Sequence, residues 1–312
     1  MVGSQNTAIV DKLLTNISNQ YTPMGFIGEQ IFPMVKVVQT TGLIGKYGTS
    51  HLRIETSVTG GKNAYPRIDT RTYTTDTYSI VTHGLSDIIT EHDYANVEKP
   101  FDAEKDTTME LTLKLQLEKE KGIADSLTDT SVLTSNTTLS GTDQWSDYTN
   151  SDPVDDIVTG INTIEDAVGI APNTAIMSSK VYRKLKYHPK LVDALGYKDN
   201  RPGGLSIDEV AQAIDVERIL VGRTIYESAK EGQTSSVMPV WGKHFVLAVA
   251  PTKAALRQVT LGYRFQQFAD SRRTFKNKVD NPPNAKEILV DDHYDQNIID
   301  VNAGYLIKDA IA

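Results

Sequence analysis

Apolar residues recur every three or four positions in some stretches of the chain and every second position in others, and the difference predicts its elements. The clearest helical pattern is "SDPVDDIVTGINTIEDAVG", where Val154, Ile157, Val158, Ile161, Ile164 and Val168 form one stripe. Asp152 stands at the cap, Pro153 in the first turn and Gly169 at the end. Residues 100 to 128 carry both periods. Met109, Leu111, Leu113, Leu115 and Leu117 alternate, as in a strand. Length, an Asp102 cap, acidic residues near the start and the Glu110/Lys114 pair favour a helix instead. On that helix Met109, Leu113, Leu117, Ala124 and Leu127 share one face, with Leu111 and Leu115 opposite. A helix with two apolar faces is packed from both sides, as a spine.

Further along, "NTAIMS" reads as a short buried strand and "SSKVYRKLKYHPKLVDAL" as a basic helix broken at Pro189. "SIDEVAQAIDV" opens with a capping box, Ser206 to Glu209. "RILVGRTIYES" and "GKHFVLAVA" read as strands. Helices alternating with buried strands predict an α/β module over about 151–254. After it, "AALRQVTLGYRFQQF", "KEILVDDHYDQNIIDV" and "AGYLIKDAI" read as strands without helices between them. The class expected is therefore α+β.

The first 90 residues follow neither pattern cleanly. Residues 1–35 hold few charges and end in "MGFIGEQIFPMV", which reads either as an extended arm docking apolar side chains or as a helix and loop. Residues 36–90 are cut by Gly42, Gly45, Gly48, Gly60 and Gly61 into extended pieces. "TGGKNAYP" is a turn signal between "SHLRIETSV" and "RIDTRTYTTDTYSIVTHGL", so a long hairpin with its tip near Gly60 and Gly61 is expected. Its returning strand is polar on both faces. From Lys36 to Ile80 there are six Lys and Arg against three Asp and Glu, in a chain whose formal net charge is −8.

That net charge speaks against a protein built chiefly to grip nucleic acid. The chain has 312 residues, 39% of them hydrophobic and none of them cysteine. A sizeable core is possible, and thiolate metal sites, disulfides and cysteine nucleophiles are excluded. No apolar run is long enough to cross a membrane, and no signal-peptide pattern opens the sequence.

Catalytic signatures are weak throughout. "GLIGKYGTS" has glycines and a lysine, but not the spacing of a phosphate loop, and no helix follows it. His83, Asp87, Glu91, His92 and Asp93 lie on an extended segment and read as solvated residues. "DDHYDQN", from Asp291 to Asn297, is the best cation candidate, weighed against a surface acidic turn. No nucleophile elbow or triad signature occurs. No catalytic residue, metal ligand or cofactor is assigned. Two basic clusters remain, Lys180, Arg183, Lys184, Lys186 and Lys190, then Arg272, Arg273, Lys276 and Lys278. They read as solvated faces or as contacts with a neighbouring subunit rather than with nucleic acid.

The order of parts is more telling than any motif: apolar arm, long polar hairpin, spine helix, α/β module, returning strands. With "NTAIMSS", "KVYRKLKYHPKLVDAL", "SIDEVAQAIDVERILVGRTIYES", "VWGKHFVLAVAP" and "LGYRFQQF" in this sequence order, the whole chain resembles the major capsid proteins of tailed bacteriophages, the Hong Kong 97 fold. The resemblance implies an N-terminal arm at 1–35 and an extended loop at 36–90. It implies a peripheral domain from 91–150, with the spine helix at about 100–128, plus return strands at 255–312. The axial domain is then 151–254. It further implies hexamers and pentamers forming an icosahedral shell around packaged double-stranded DNA, bound without sequence specificity.

On that reading the hairpin's partner is another subunit. The expected inter-subunit contacts are Arg53, Glu55, Lys62, Tyr65, Arg67, Asp69, Arg71 and Tyr73, with Phe26 and Phe32 of the arm, and Tyr78 covering an apolar patch next door. Lys180, Arg183, Lys184, Arg272 and Arg273 are the basic contact candidates. Only about 35 residues precede the hairpin, so a separate scaffolding protein is expected rather than a fused one, beside a portal and possible decoration protein. Assembly in the host cytoplasm and residence in the virion follow, with no membrane partner. Some relatives cross-link a loop lysine to an asparagine of a neighbour. Lys62 is placed for this, but no motif identifies an acceptor, and cross-linking is not expected. Two alternatives stand beside this reading: an encapsulin-type shell around protein cargo, and a soluble metal- or sugar-binding enzyme using Asp291, Asp292 and His293.

Overall fold

The computed structural model describes residues 9–21, 25–46, 54, 57, 74–96, 102–196, 203–255, 258–267, 272–279 and 284–312. From the N-terminus these form β1 (Ile9–Val10), α1 (Lys12–Gln20), α2 (Gly28–Ile31), β2 (Met34–Lys36), β3 (Thr41–Lys46), β4 (Thr74–Ser79), β5 (Val81–Ile89) and α3 (Glu91–Asn96). The long helix α4 (Ala103–Thr128) and β6 (Asn136–Thr138) follow, then α5 (Pro153–Val168), β7 (Thr174–Ser178), α6 (Ser179–Leu185), α7 (Pro189–Ala194) and α8 (Ile207–Ala213). The rest is strand: β8 (Arg218–Gly222), β9 (Ile225–Glu227), β10 (Val237–Pro239), β11 (Phe245–Ala248), β12 (Gly262–Gln266), β13 (Arg272–Val279), β14 (Ala285–Ile298) and β15 (Gly304–Lys308).

Two larger sheets organise the chain. A six-stranded sheet runs β1-β13-β14-β12-β2, with β5 also paired to β14. A five-stranded sheet runs β6-β15-β11-β7-β8. The interior strands β7 and β11 are buried along their whole length, which is why "TAIMS" and "FVLA" are apolar on both faces. β8 lies parallel to β7, and β6 parallel to β15. Helix α5 forms as its sequence requires. Asp152 accepts the Asp155 N–H at 3.3 Å, and Gly169 closes the helix in the left-handed region at φ +75°. The Ser206/Glu209 capping box is present on α8.

The spine helix spans the predicted residues, but its buried face differs from the expected one. Thr108, Leu111, Thr112, Leu115, Gln116, Lys119, Glu120, Ile123, Ala124 and Leu127 are buried, while Met109, Leu113 and Leu117 are half-buried. The stripe keeps a strict spacing of three and four, but half its members are polar. Leu111 and Leu115 meet Leu14, Ile89, Ile288 and Val290 at one end of the six-stranded sheet. Ile123, Ala124 and Leu127 meet the main core at the other. Charged and polar groups fill the stretch between.

The expected partition of the chain is departed from in three places. Residues 81–89 do not stay in the hairpin: β5 pairs with β14 along nine residues, from Val81 opposite Tyr294 to Ile89 opposite Lys286. The terminal strand β15 does not return to the first sheet but pairs with β11 in the second, where Tyr305, Leu306 and Ile307 are buried. Residues 136–138 join it there as β6. β15 is apolar on both faces and needs an interior position, whereas β5 alternates weakly and suffices as an outer strand.

Candidate inter-subunit surface

The arm is fastened before it is free. Gly28 approaches α4 so closely that a Cβ there would stand 2.6 Å from Glu120 Oε2 and 2.7 Å from Ile123 Cδ1. This lets the Glu120 carboxylate accept three N–H groups: Ile27 at 3.0 Å, Gly28 at 2.6 Å and the Trp241 indole at 2.7 Å. Burial pushes the Glu120 pKa up, against the pull of these donors. Thr224 Oγ1 donates to the Gly25 carbonyl at 3.0 Å, and Arg218 reaches the Gln30 carbonyl at 3.2 Å. Ile31 and Phe32 then enter the main core. Residues 25–36 thus strap the spine helix to the five-stranded sheet, and β2 adds a parallel strand beside β12.

Next to this strap lies a charge layer in which Lys119, Asp292 and Arg264 are buried and Glu29 forms the exposed rim. Lys119 Nζ sits 2.6 Å from Asp292 Oδ2 and 3.6 Å from Glu29 Oε1, with its ammonium 4.3 Å from the Tyr294 ring centre. Arg264 also contacts Glu29. Burial pulls the Lys119 pKa down, with Asp292 opposing. Burial works against the Glu29 charge, but Arg264 and Lys119 outweigh it and its pKa is lowered. Sequence reasoning missed this layer. The signal was available: continuing the spacing Leu111, Leu115 by four places Lys119 inside.

The hairpin is real at its base. β3 and β4 pair antiparallel from Thr41 opposite Ser79 to Lys46 opposite Thr74. One face of that base is apolar after all. Ile44 and Tyr78 are buried with Tyr263 and Phe265, and Tyr78 stacks on Phe265 at 4.7 Å. The Ser79 N–H donates to Asp295 at 2.8 Å, and Lys46 pairs with Asp76 at 2.7 Å. Tyr78 therefore packs into its own subunit, not a neighbour. Val38 and Leu43 stand 90% and 71% exposed beside this root, apolar side chains with little cover among the described residues. The candidates Arg53, Glu55, Lys62, Tyr65, Arg67, Asp69, Arg71 and Tyr73, and the hairpin tip, lie outside the described residues.

Among the remaining candidates, Phe26 is half-buried and Phe32 is 1% exposed. Phe32 belongs to its own core and is withdrawn as a contact residue, because the arm's apolar side chains meet α4 before they can meet another subunit. Arg272 is likewise withdrawn. "SRRTFKNK" is strand β13 rather than a loop, and it turns Arg272 inward, 4% exposed, to donate to the Ser18 carbonyl at 2.8 Å. Arg273 faces the other way and holds Asp291 at 2.8 Å. Lys180, Arg183 and Lys184 are exposed on α6. The cation candidate at Asp291–Asn297 is strand β14, so Asp291 and Asp292 point to opposite faces, each already paired with a cation of its own chain. No group of metal-ligating residues gathers among the described residues.

No family model matches the chain. In sequence it is similar to the major capsid protein of Burkholderia phage BcepMu, 29% identical over 255 residues, spanning 81% of this chain and 80% of that one. In structure it is similar to a phage-related protein from Bordetella bronchiseptica RB50, with 26% identity and a TM-score of 0.74 over 97% of this chain and 98% of that one. The capsid structure of cyanophage P-SCSP1u shares the fold at a TM-score of 0.62 and 7% identity, covering 93% of this chain and 89% of that one. The fold is thus that of a capsid subunit of the Hong Kong 97 type. Within that class its sequence is similar to proteins named major capsid protein in phages.

Proposed function

We propose that this chain is the structural building block of a closed icosahedral shell, assembled from hexamers and pentamers of itself in the host cytoplasm around packaged double-stranded DNA. The observation that carries the reading is the hairpin rooted at Ile44 and Tyr78 with exposed Val38 and Leu43 beside it. A two-stranded ribbon is marginal in water on its own. Laid over a neighbour, it buries apolar surface and pairs its edges. The likeness to a phage protein named major capsid protein supports a DNA-containing shell over an encapsulin-type one. The engagement of Asp291 and Asp292 within the chain speaks against the enzyme reading.

In this reading residues 1–35 are the arm, the hairpin that precedes β5 is the extended loop, the six-stranded sheet with α4 is the peripheral body and the five-stranded sheet the axial body. The loop residues Arg53, Glu55, Lys62, Tyr65, Arg67, Asp69, Arg71 and Tyr73 make contact with adjacent subunits. A portal and a scaffolding protein are the expected partners, with a decoration protein possible. The test is size. Expressed chain examined by sedimentation velocity and negative-stain microscopy is expected to give shells, or free capsomers where scaffold is missing. A chain that stays a 34.4 kDa monomer at every concentration and salt tried overturns the reading.

A further inference from the structure

The five-stranded body carries two helices of opposite and unmixed charge. α5 contains Asp155, Asp156, Glu165 and Asp166 and no Lys or Arg. α6 contains Lys180, Arg183 and Lys184 and no Asp or Glu, and Lys186 and Lys190 follow directly. The two lie over different parts of the sheet, α5 against β15 and α6 against β7 and β8 at the far edge. Asp155, Glu165, Asp166, Lys180, Arg183 and Lys184 are all exposed. None of the six makes an ion pair among the described residues, whereas Asp152 is satisfied within the chain by Lys190 at 2.6 Å. Around the N-terminal end of α5 the acidic charge is felt: Asp156 is half-buried, and burial together with Asp152, Asp155 and Asp143 raises its pKa. Val158 and Ile170, 44% and 45% exposed, add apolar surface at this helix.

Resting on the shell reading above, we infer that the basic face of α6 docks on the acidic face of α5 of the next copy of this chain, head to tail around a ring. The occupant of each face is a second copy, because the complementary surface is carried by the same molecule and, among the described residues, none of the six exposed charges is ion-paired within its own chain. A contact between two different faces repeats around a ring, and the ring closes when the rotation allows it. Exposed pairs are individually weak, so the contact works through three or more charges per junction, multiplied around the ring. It is salt-sensitive for the same reason.

The test is charge reversal on full-length chain. One variant carries Lys180→Glu, Arg183→Glu and Lys184→Glu, a second Asp155→Lys, Glu165→Lys and Asp166→Lys, and a third all six. These side chains are exposed, and circular dichroism melting checks that each variant folds. Each triple variant is expected to lose capsomers by at least tenfold at matched concentration, and the six-fold variant to regain them. Mixing the two triple variants has a sharper outcome. One presents acid on both faces and the other base on both, so they can only alternate. Even-membered rings should return and five-membered rings should not. If both triple variants block assembly and neither the six-fold variant nor the mixture restores it, the two faces are not partners and the inference falls. If the basic variant assembles normally and only retains less DNA, α6 faces the packaged nucleic acid and the inference falls equally. A wild-type chain that forms no capsomer points instead at the shell reading itself.

Discussion

Replacing Glu120 by Ala tests whether the arm strap is held by one carboxylate. The change orphans three donors: the backbone N–H groups of Ile27 and Gly28 and the indole N–H of Trp241. A buried donor left unsatisfied costs about 1–3 kcal/mol. Part is offset, because the carboxylate itself is held out of water at a cost, as its raised pKa records. The net expectation is a loss of roughly 3–5 kcal/mol, near the upper end for a single substitution. For a chain of this size that lowers the melting temperature by about 6–20 °C, at about 2–4 °C per kcal/mol. Glu120→Gln keeps one acceptor oxygen and should cost about half as much, since one orphan set remains. The sign with pH is fixed. The folded pKa lies above the unfolded one, so the gain from protonation is complete below about pH 4.5 and is lost as pH rises through the folded value. The gap between wild type and Glu120→Gln should therefore widen on acidification. The assay is thermal melting of unassembled subunits, with limited proteolysis of the arm run in parallel. An Ala variant that melts within about 1 °C of wild type, its arm equally protected, would refute the reasoning.

Glu104 offers the opposite pH dependence: burial opposes its charge, but hydrogen bonds from Lys276, Lys286 and Tyr94 bring its pKa down to about 2. Its stabilisation is present above the unfolded value near 4.5 and lost as pH falls towards about 2, on the order of 1–2 kcal/mol after solvent screening, and Glu104→Gln should abolish that share of acid sensitivity in urea titrations. His188 is buried and neutral, its pKa lowered by burial; Ser151 Oγ donates to the Asp147 carbonyl, so Nε2–H donates to Ser151 while Nδ1 accepts the Lys190 N–H that starts α7. Its stabilisation is full above the unfolded value near 6.5 and lost as pH falls through the lowered folded value, and His188→Gln should flatten the melting profile below about pH 6.5. Deleting the hairpin tip, Ser57 to Ala64, should leave subunit melting unchanged and weaken assembly; equal loss of both would place the tip in the fold itself.

Much of the architecture was legible because it rests on local rules. The caps at Asp152 and Ser206, the Gly169 terminator and the fully buried strands β7 and β11 each follow from a few adjacent residues. The misread parts depend on distant partners. Nothing in the residues around Lys119 shows that it is buried, and only the strand bearing Asp292, 173 positions on, makes its burial tolerable. Phe32 and Tyr78 looked available to a neighbour because nothing local shows that Gly262 or Phe265 awaits them. The faces of α4 were assigned by apolar count alone, and counting hid a stripe in which Thr108, Thr112 and Gln116 are as buried as the leucines.

The placement of β15 bears on when the subunit becomes competent. It is the last described strand in chain order, yet it lies inside its sheet, between β6 and β11. Until residues 304–308 have emerged from the ribosome, β11 has one bare edge and Trp145 lacks the Ala310 carbonyl that accepts its backbone N–H. Folding of that body is thereby deferred until residues 304–310 have been made. A prematurely terminated product keeps its arm and hairpin but has no finished body to offer a growing lattice. Defective chains are excluded by topology alone, before any partner has to reject them.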